Sequence, residues 1–191
     1  AEKYSLKAID ICERIGFLHG HVWSHFNLGE TCFENGEYQK SKEHYGSAIS
    51  LLENSKVLPS WMNLNKIGLA KARIINNEKS IDLKTLYGFE KSNKVKLFEG
   101  WIPRYIGEIV LNLNNRQVNE AQDWIEKAIE ADKTNGMMWH LAKNYALYAE
   151  LFKRKGEQLE AKKKLSMAID IFKECGADGW VKKYKKELAE L

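Results

Sequence analysis

A small residue followed by a large apolar one recurs along this chain at a fixed step of 40 residues. Ala168-Ile169 is preceded by Ala128-Ile129, Gly88-Phe89, Ala48-Ile49 and Ala8-Ile9. Two more columns keep the phase: Ser41, Ile81, Ala121 and Ala161 in one, and Tyr45, Thr85, Ile125 and Leu165 in the other, with Thr85 its weak member. Tryptophans 23, 61, 101, 139 and 180 open the units at intervals of 38 to 41. A repeat of about 20–50 residues marks a solenoid, in which each unit is a supersecondary element that buries its apolar face only against its neighbours. The small residue lets one helix approach its partner; the large one fills the space between units.

The last unit shows what each repeat is made of. Between Trp139 and Gly156, apolar residues fall at Ala142, Tyr145, Tyr148, Ala149 and Phe152, spacings of three and four that line one helix face. Gly156 interrupts the pattern, and Ala161, Leu165, Ala168, Ile169 and Phe172 line a second helix. The chain therefore reads as all-α: antiparallel helix pairs over 21–53, 61–91, 101–132 and 139–175, preceded by a partial repeat (1–16) and closed by a capping helix (180–191), all one repeat domain over 1–191. Residues 54–60 and 133–136 read as connections. Residues 92–100 read as a longer connection with one extended stretch. In the third pair, strict arithmetic would bury Glu108 and Asn112. A shift of one residue buries Ile106, Ile109, Val110 and Leu113 instead, and avoids the cost of an unpaired buried carboxylate. The second helix of the second pair, starting at Ser80 or Ile81 and carrying Leu83, Leu86, Tyr87 and Phe89, has the weakest contrast. Residues 1–16 read as a second helix without its first, so the sequence is expected to start inside a repeat of a longer polypeptide.

His25, Leu28, Gly29 and Cys32 on the first helix, then Gly36, Tyr38, Ser41, Tyr45 and Ala48, follow the order of the tetratricopeptide repeat, as do Tyr145, Tyr148, Ala149, Phe152, Gly156, Ala161, Leu165 and Ala168. The chain resembles that family with a period of 40 in place of about 34. The resemblance implies a right-handed αα superhelix whose first helices line a concave groove for extended peptides or partner helices. Carried onto this sequence, the groove positions are Trp23, Phe26, Glu30 and Phe33; Asn63, Lys66, Ala70 and Arg73; and Lys143, Ala146, Glu150 and Lys153, with Arg104 from the third pair. The Lys/Asn clamp by which some members hold a peptide carboxylate is not reproduced. Three further stretches, Lys96–Ile109, Asn135–Gly156 and Glu174–Leu188, resemble the C-terminal repeat regions of large bacterial signalling proteins with cyclase or kinase and ATPase domains.

Composition narrows the classes of function. The net charge of +4 comes from residues 141–191, with 12 basic and 8 acidic residues, while 1–140 balance. A nucleic-acid binder carries a stronger basic stripe. No run of about 18 apolar residues points to a membrane span. Cys12, Cys32 and Cys175 are odd in number and widely spaced, which points to a reducing, cytoplasmic compartment rather than a disulfide framework. No phosphate loop, nucleophile elbow or kinase signature occurs, and Glu30 and Glu34 read as solvated surface. His21 and His25 have the spacing of two ligands on one helix face. No HExxH motif accompanies them, and His25 holds a repeat core position, so packing is the simpler role. Lys153, Arg154, Lys155 and Lys162, Lys163, Lys164 read as solvated helix faces. Met137, Met138 and the phased tryptophans read as packing between units, and the off-phase Trp124 as exposed.

The expected function is therefore a non-catalytic interaction or regulatory module, without metal or cofactor, that engages a protein, a peptide or upstream domains of its own chain. The alternatives are a small-molecule sensor using Trp101, Arg104 and Trp139, and an RNA-binding repeat using the basic C-terminal quarter.

Overall fold

The structure, a computed structural model, describes residues 2–55, 58–78, 80–113 and 117–191. The 54–60 connection read from the sequence therefore lies partly outside the described residues. Among those residues there are ten α-helices and no strand. By internal contact the chain divides into two compact units, Ala1–Lys94 and Val95–Leu191.

The first unit contains α1 (Glu2–Arg14), α2 (Leu18–Glu34), α3 (Tyr38–Ser55), α4 (Pro59–Ile75) and α5 (Leu83–Lys91). Each packs on the next, and α2 also touches α4. The second unit opens with a 3₁₀ turn, Lys96–Phe98, and continues through α6 (Trp101–Leu113), α7 (Val118–Thr134), α8 (Met138–Lys155), α9 (Gln158–Glu174) and α10 (Asp178–Glu190). Here too consecutive helices pack, and α6 touches α8. In both units the helices that begin a pair lie beside one another as well as against their own partners.

The turns between helices follow one design. At the end of α2, Gly36 takes φ +77°, its N–H donates to the Phe33 carbonyl and the Glu37 N–H reaches back to the Cys32 carbonyl. This left-handed cap satisfies carbonyls that the helix end would otherwise leave open, and glycine adopts it without a Cβ clash. The same pair of bonds closes α4 at Asn77 (φ +63°), where the sequence offers asparagine, the side chain that best tolerates this region after glycine.

Small residues set the helix spacing. Tyr45 of α3 is fully buried, and its ring lies where both α2 and α4 lack a side chain: a Cβ at Gly29 would meet it at 3.0 Å and one at Gly68 at 2.6 Å. In the second unit a Cβ at Gly107 of α6 would lie 3.0 Å from Ile125 of α7. Glycines 29, 68 and 107 stand 39 residues apart.

The register of the third pair follows the shifted reading. Ile106, Ile109 and Val110 are buried, Leu113 is half-buried, and Glu108 and Asn112 stay partly in water. α5 begins at Leu83, because the Asp82 carboxylate accepts the Thr85 N–H and caps the helix there. Only Leu86 of its apolar residues is fully buried. The 92–100 connection gains a short helical turn that the sequence reading did not include. Val95 is extended, and the next three residues wind into the 3₁₀ turn and bury Phe98 against Trp101. Trp124 is half-buried rather than exposed, its Cβ lying beside Gly107. On α1, Cys12 is buried, Ala8 and Ile9 are half-buried, and Tyr4 is 78% exposed. In α10, Val181 is buried with Trp180, Tyr184 and Leu188 half-buried, while Lys182, Lys183, Lys185 and Lys186 face water.

Candidate functional site

The groove positions of the first unit lie on α2 and α4, and the structure sorts them by accessibility. Trp23 is half-buried, stacked on Phe26 (5.6 Å between centroids) and edge-on to Trp61 of α4 (5.0 Å). Phe26 is 2% exposed and packs edge-on to Tyr45, so it serves the core and offers no surface to a ligand. The sequence could not show this, because α2 is covered by α1, α3 and α4 together. Ala70 is likewise buried.

One turn further along, Glu30, Phe33 and the buried Lys71 come together. Lys71 is 2% exposed; its Nζ donates to Glu30 Oε1 at 2.9 Å and sits 3.8 Å from the centre of the Phe33 ring. The Tyr45 hydroxyl donates to the same Glu30 oxygen. Glu30, read from the sequence as a groove residue, thus also ties α2 to α3 and α4. Asn63 Nδ2 donates to Ser92 Oγ (3.1 Å), Lys66 lies 4.0 Å from Glu53, and Arg73, exposed, lies 3.7 Å from Glu78. These are loose surface contacts of the kind worth under about 1 kcal/mol, so Lys66 and Arg73 keep their charge available to a partner.

The second unit has its own set, on α6 and α8. Lys143 lies over the Trp180 ring (5.3 Å), and Glu150 holds Arg154 at 2.8 Å and Lys153 at 3.8 Å. Arg154, read from the sequence as solvated, reaches from α8 to α6, donating to the Leu111 carbonyl (2.8 Å) and to Asn112 Oδ1 (2.9 Å). Ala146 is buried. Arg104 is 3% exposed, and its guanidinium lies 3.1 Å from His140 Nδ1. A guanidinium only donates, so this contact makes His140 Nδ1 the acceptor and puts the ring proton on Nε2. His140 also lies on Trp101, 4.2 Å between centroids. Arg104 and Trp101 are thus engaged inside the unit, while Trp139 is 37% exposed.

Asp132, at the end of α7, is a residue that nothing in the sequence pattern singles out. It is 1% exposed; Asn144 Nδ2 donates to its Oδ2 (2.8 Å), and Oδ1 has no hydrogen-bond partner among the described residues. Gly100 leaves room for it, since a Cβ there would lie 2.0 Å from Oδ1. Burial pushes the carboxyl up to about 6 from 3.8, against the opposing pull of Arg104 and the Asn144 bond. The unfolded chain therefore gives up this proton at lower pH than the native one. The second unit is expected to be most stable below about pH 4 with respect to this group, and to lose about 2–3 kcal/mol as pH rises through 6. Asp132→Asn should abolish that slope in the exchange rates of α7 and α8 amides; an unchanged slope would assign it elsewhere.

On the other side of α8, the Tyr148 hydroxyl donates to Glu126 of α7, and Lys164 of α9 lies over the Tyr148 ring at 4.9 Å. That bond and the one from Gln122 hold the Glu126 carboxyl below its usual range, while burial and Glu126 push the Tyr148 hydroxyl up. Lys164 is thus part of a packed cluster, whereas Lys162 and Lys163 face water. His21 and His25 stack on each other at 5.2 Å, and His25 meets His44 of α3. Among the described residues, no group of three or more His, Cys, Asp or Glu side chains could hold a metal ion. No helix among them is long and apolar enough to cross a membrane.

These features define an all-helical array in which consecutive helices pack on one another, compatible with a helical repeat. No protein-family model matches the chain, and no curated protein matches it either.

Proposed function

We propose that this chain is a tetratricopeptide-like repeat module that binds a protein or peptide along its first helices, and that it acts as a cytoplasmic regulatory or scaffold part of a larger bacterial signalling protein. The observation that carries the reading is the side-by-side contact of first helices, α2 on α4 and α6 on α8. Side chains link these neighbours at both ends: Trp23 to Trp61 and Glu30 to Lys71 in one unit, Arg104 to His140 and Arg154 to Asn112 in the other. The hydrogen-bonded positions are 36 to 42 residues apart, which supports a period near 40. First helices in direct contact are what a right-handed superhelix needs to form a groove. Their accessible members are Trp23, Phe33, Asn63, Lys66 and Arg73 in the first unit and, separately, Lys143, Glu150 and Lys153 in the second. A mixed basic, aromatic and amide lining suits an extended acidic or amphipathic segment.

The test reverses charge where stability is least at risk. Lys66→Glu with Arg73→Glu breaks only surface pairs, so the variant is expected to fold as the parent does. Capture of partners from the source cell by the immobilised parent and variant should then differ, with the partner's affinity falling at least about tenfold. Undiminished capture by the variant would remove α4 from the binding face. An immunoblot of source cells bears on the second half of the reading: a band several times larger than 22.1 kDa is expected for a regulatory tail, and one near that mass would leave a free-standing adaptor.

A further inference from the structure

The seam between α2 and α3 carries an arrangement that the binding surface does not use. His25 Nδ1 of α2 and His44 Nδ1 of α3 face each other at 3.3 Å, with ring centroids 5.5 Å apart. Both rings are half-buried. A neutral imidazole has one nitrogen that donates and one that accepts, and a charged imidazolium only donates. Two Nδ1 atoms at this distance can share one proton, as donor and acceptor. They cannot both carry one, because the bond would become a contact of two donors on two positive rings. His21, stacked on His25 a turn earlier on α2, adds a third imidazole to the same side.

We propose that the His25–His44 contact is a pH-sensitive latch on the α2–α3 seam, closed while at least one of the two imidazoles is neutral and released when acid charges both.

The groups around the pair set the order in which protons arrive. From α3 come Glu43 and Lys40, and from α1 comes Glu2. The two carboxylates favour charge on His44, while burial and Lys40 oppose it, and burial has the larger effect. The charged groups of α4, namely Lys66, Lys71 and Arg73, are turned to Glu53, Glu30 and Glu78. His25 has no such carboxylate help: burial first, then His44, then His21, lowers it to about 4. His44 therefore takes the first proton and His25 the last, and the seam resists acid until His25 charges. In the unfolded chain both rings titrate near 6.5, so the native seam binds fewer protons below that pH. Its stability is full above about 6.5 and is lost as pH falls toward 4. This is opposite in sign to the Asp132 effect in the second unit, so the two can be told apart in one molecule.

The test uses the whole chain. Imidazole resonances followed by NMR should give His25 a midpoint near 4, and amide exchange in α2 and α3, corrected for intrinsic rates, should accelerate at least about tenfold between pH 7 and pH 5 relative to α9. In His44→Asn the His25 midpoint should climb toward 6.5 and the pH dependence of α2 exchange should flatten. A His25 midpoint near 6.5 in the parent, or the same acid-induced exchange in parent and variant, would overturn the latch. If His44→Asn does not fold, the parent titration and exchange decide the matter.

Discussion

Lys71→Glu is expected to unfold the first unit. In the parent, Lys71 lies buried between the Glu30 carboxylate at 2.9 Å and the face of Phe33 at 3.8 Å. A glutamate there would set two carboxylates against each other over the negative face of an aromatic ring. At about 4 Å and an effective dielectric of about 20, that repulsion is about 4 kcal/mol, and an attraction of similar size is lost with it. The sum is comparable to the whole stability of an ordinary domain, about 5–15 kcal/mol. Lys71→Met separates charge from shape. It keeps the stem that packs on α2 but leaves the Glu30 carboxylate without its ammonium, so the cost should be about 3–5 kcal/mol, as for a buried pair that loses one partner, and still below that of the glutamate. The exchange Glu30→Lys with Lys71→Glu restores opposite charges and should recover most of the loss. Amide exchange in α2 and α4 reads this unit specifically. Native-like protection in Lys71→Glu would mean that the pair is not buried as described.

This cluster also shows where sequence reading runs out. Apolar periodicity places Leu64, Ile67 and one of Ile74 or Ile75 on the buried face of α4, and the structure buries Leu64, Ile67 and Ile74. It cannot say that Lys71 is buried on that same face, because the partner that permits it lies 41 residues away on another helix. The same applies to Asp132, whose companions Arg104 and Asn144 come from α6 and α8. Transfer from a family pattern assigns Phe26 and Arg104 to a groove, yet both are buried, because a first helix here is enclosed by its neighbours on more sides than one pair reveals. By contrast, the helix ends are legible, since Gly36, Gly156 and Gly176 sit where left-handed caps are required. So is the register of α6, because only one phase spares Glu108 from burial. Glycines 29, 68 and 107 are legible in principle, their spacing of 39 being visible in the sequence. Their meaning needs the ring that lies against the first two.

That ring makes Gly68→Ala a destabilising change where helix propensity alone predicts the reverse. An alanine in a helix interior is favoured over glycine by about 1 kcal/mol. At Gly46 of α3 and Gly88 of α5 nothing lies within 4 Å of a new Cβ, so alanine there should gain up to that amount. At Gly68 the new Cβ would lie 2.6 and 2.7 Å from two ring carbons of Tyr45. The ring has nowhere to go. It is fully buried, touches Gly29 on α2 at its other boundary, and is held at its hydroxyl by Glu30. α4 must therefore move away from α3, and overpacking of this kind costs about 1–3 kcal/mol. The net loss should be about 2 kcal/mol once cavities opened along the α3–α4 contact are included. Tyr45→Leu supplies the check. Alone it should destabilise by removing a buried ring and the bond to Glu30. Combined with Gly68→Ala it should cost less than the two changes taken separately, because the smaller side chain admits the methyl group. Additive losses in urea denaturation would show that the ring and the glycine do not meet, and α2, α3 and α4 would then owe their spacing to something other than this contact.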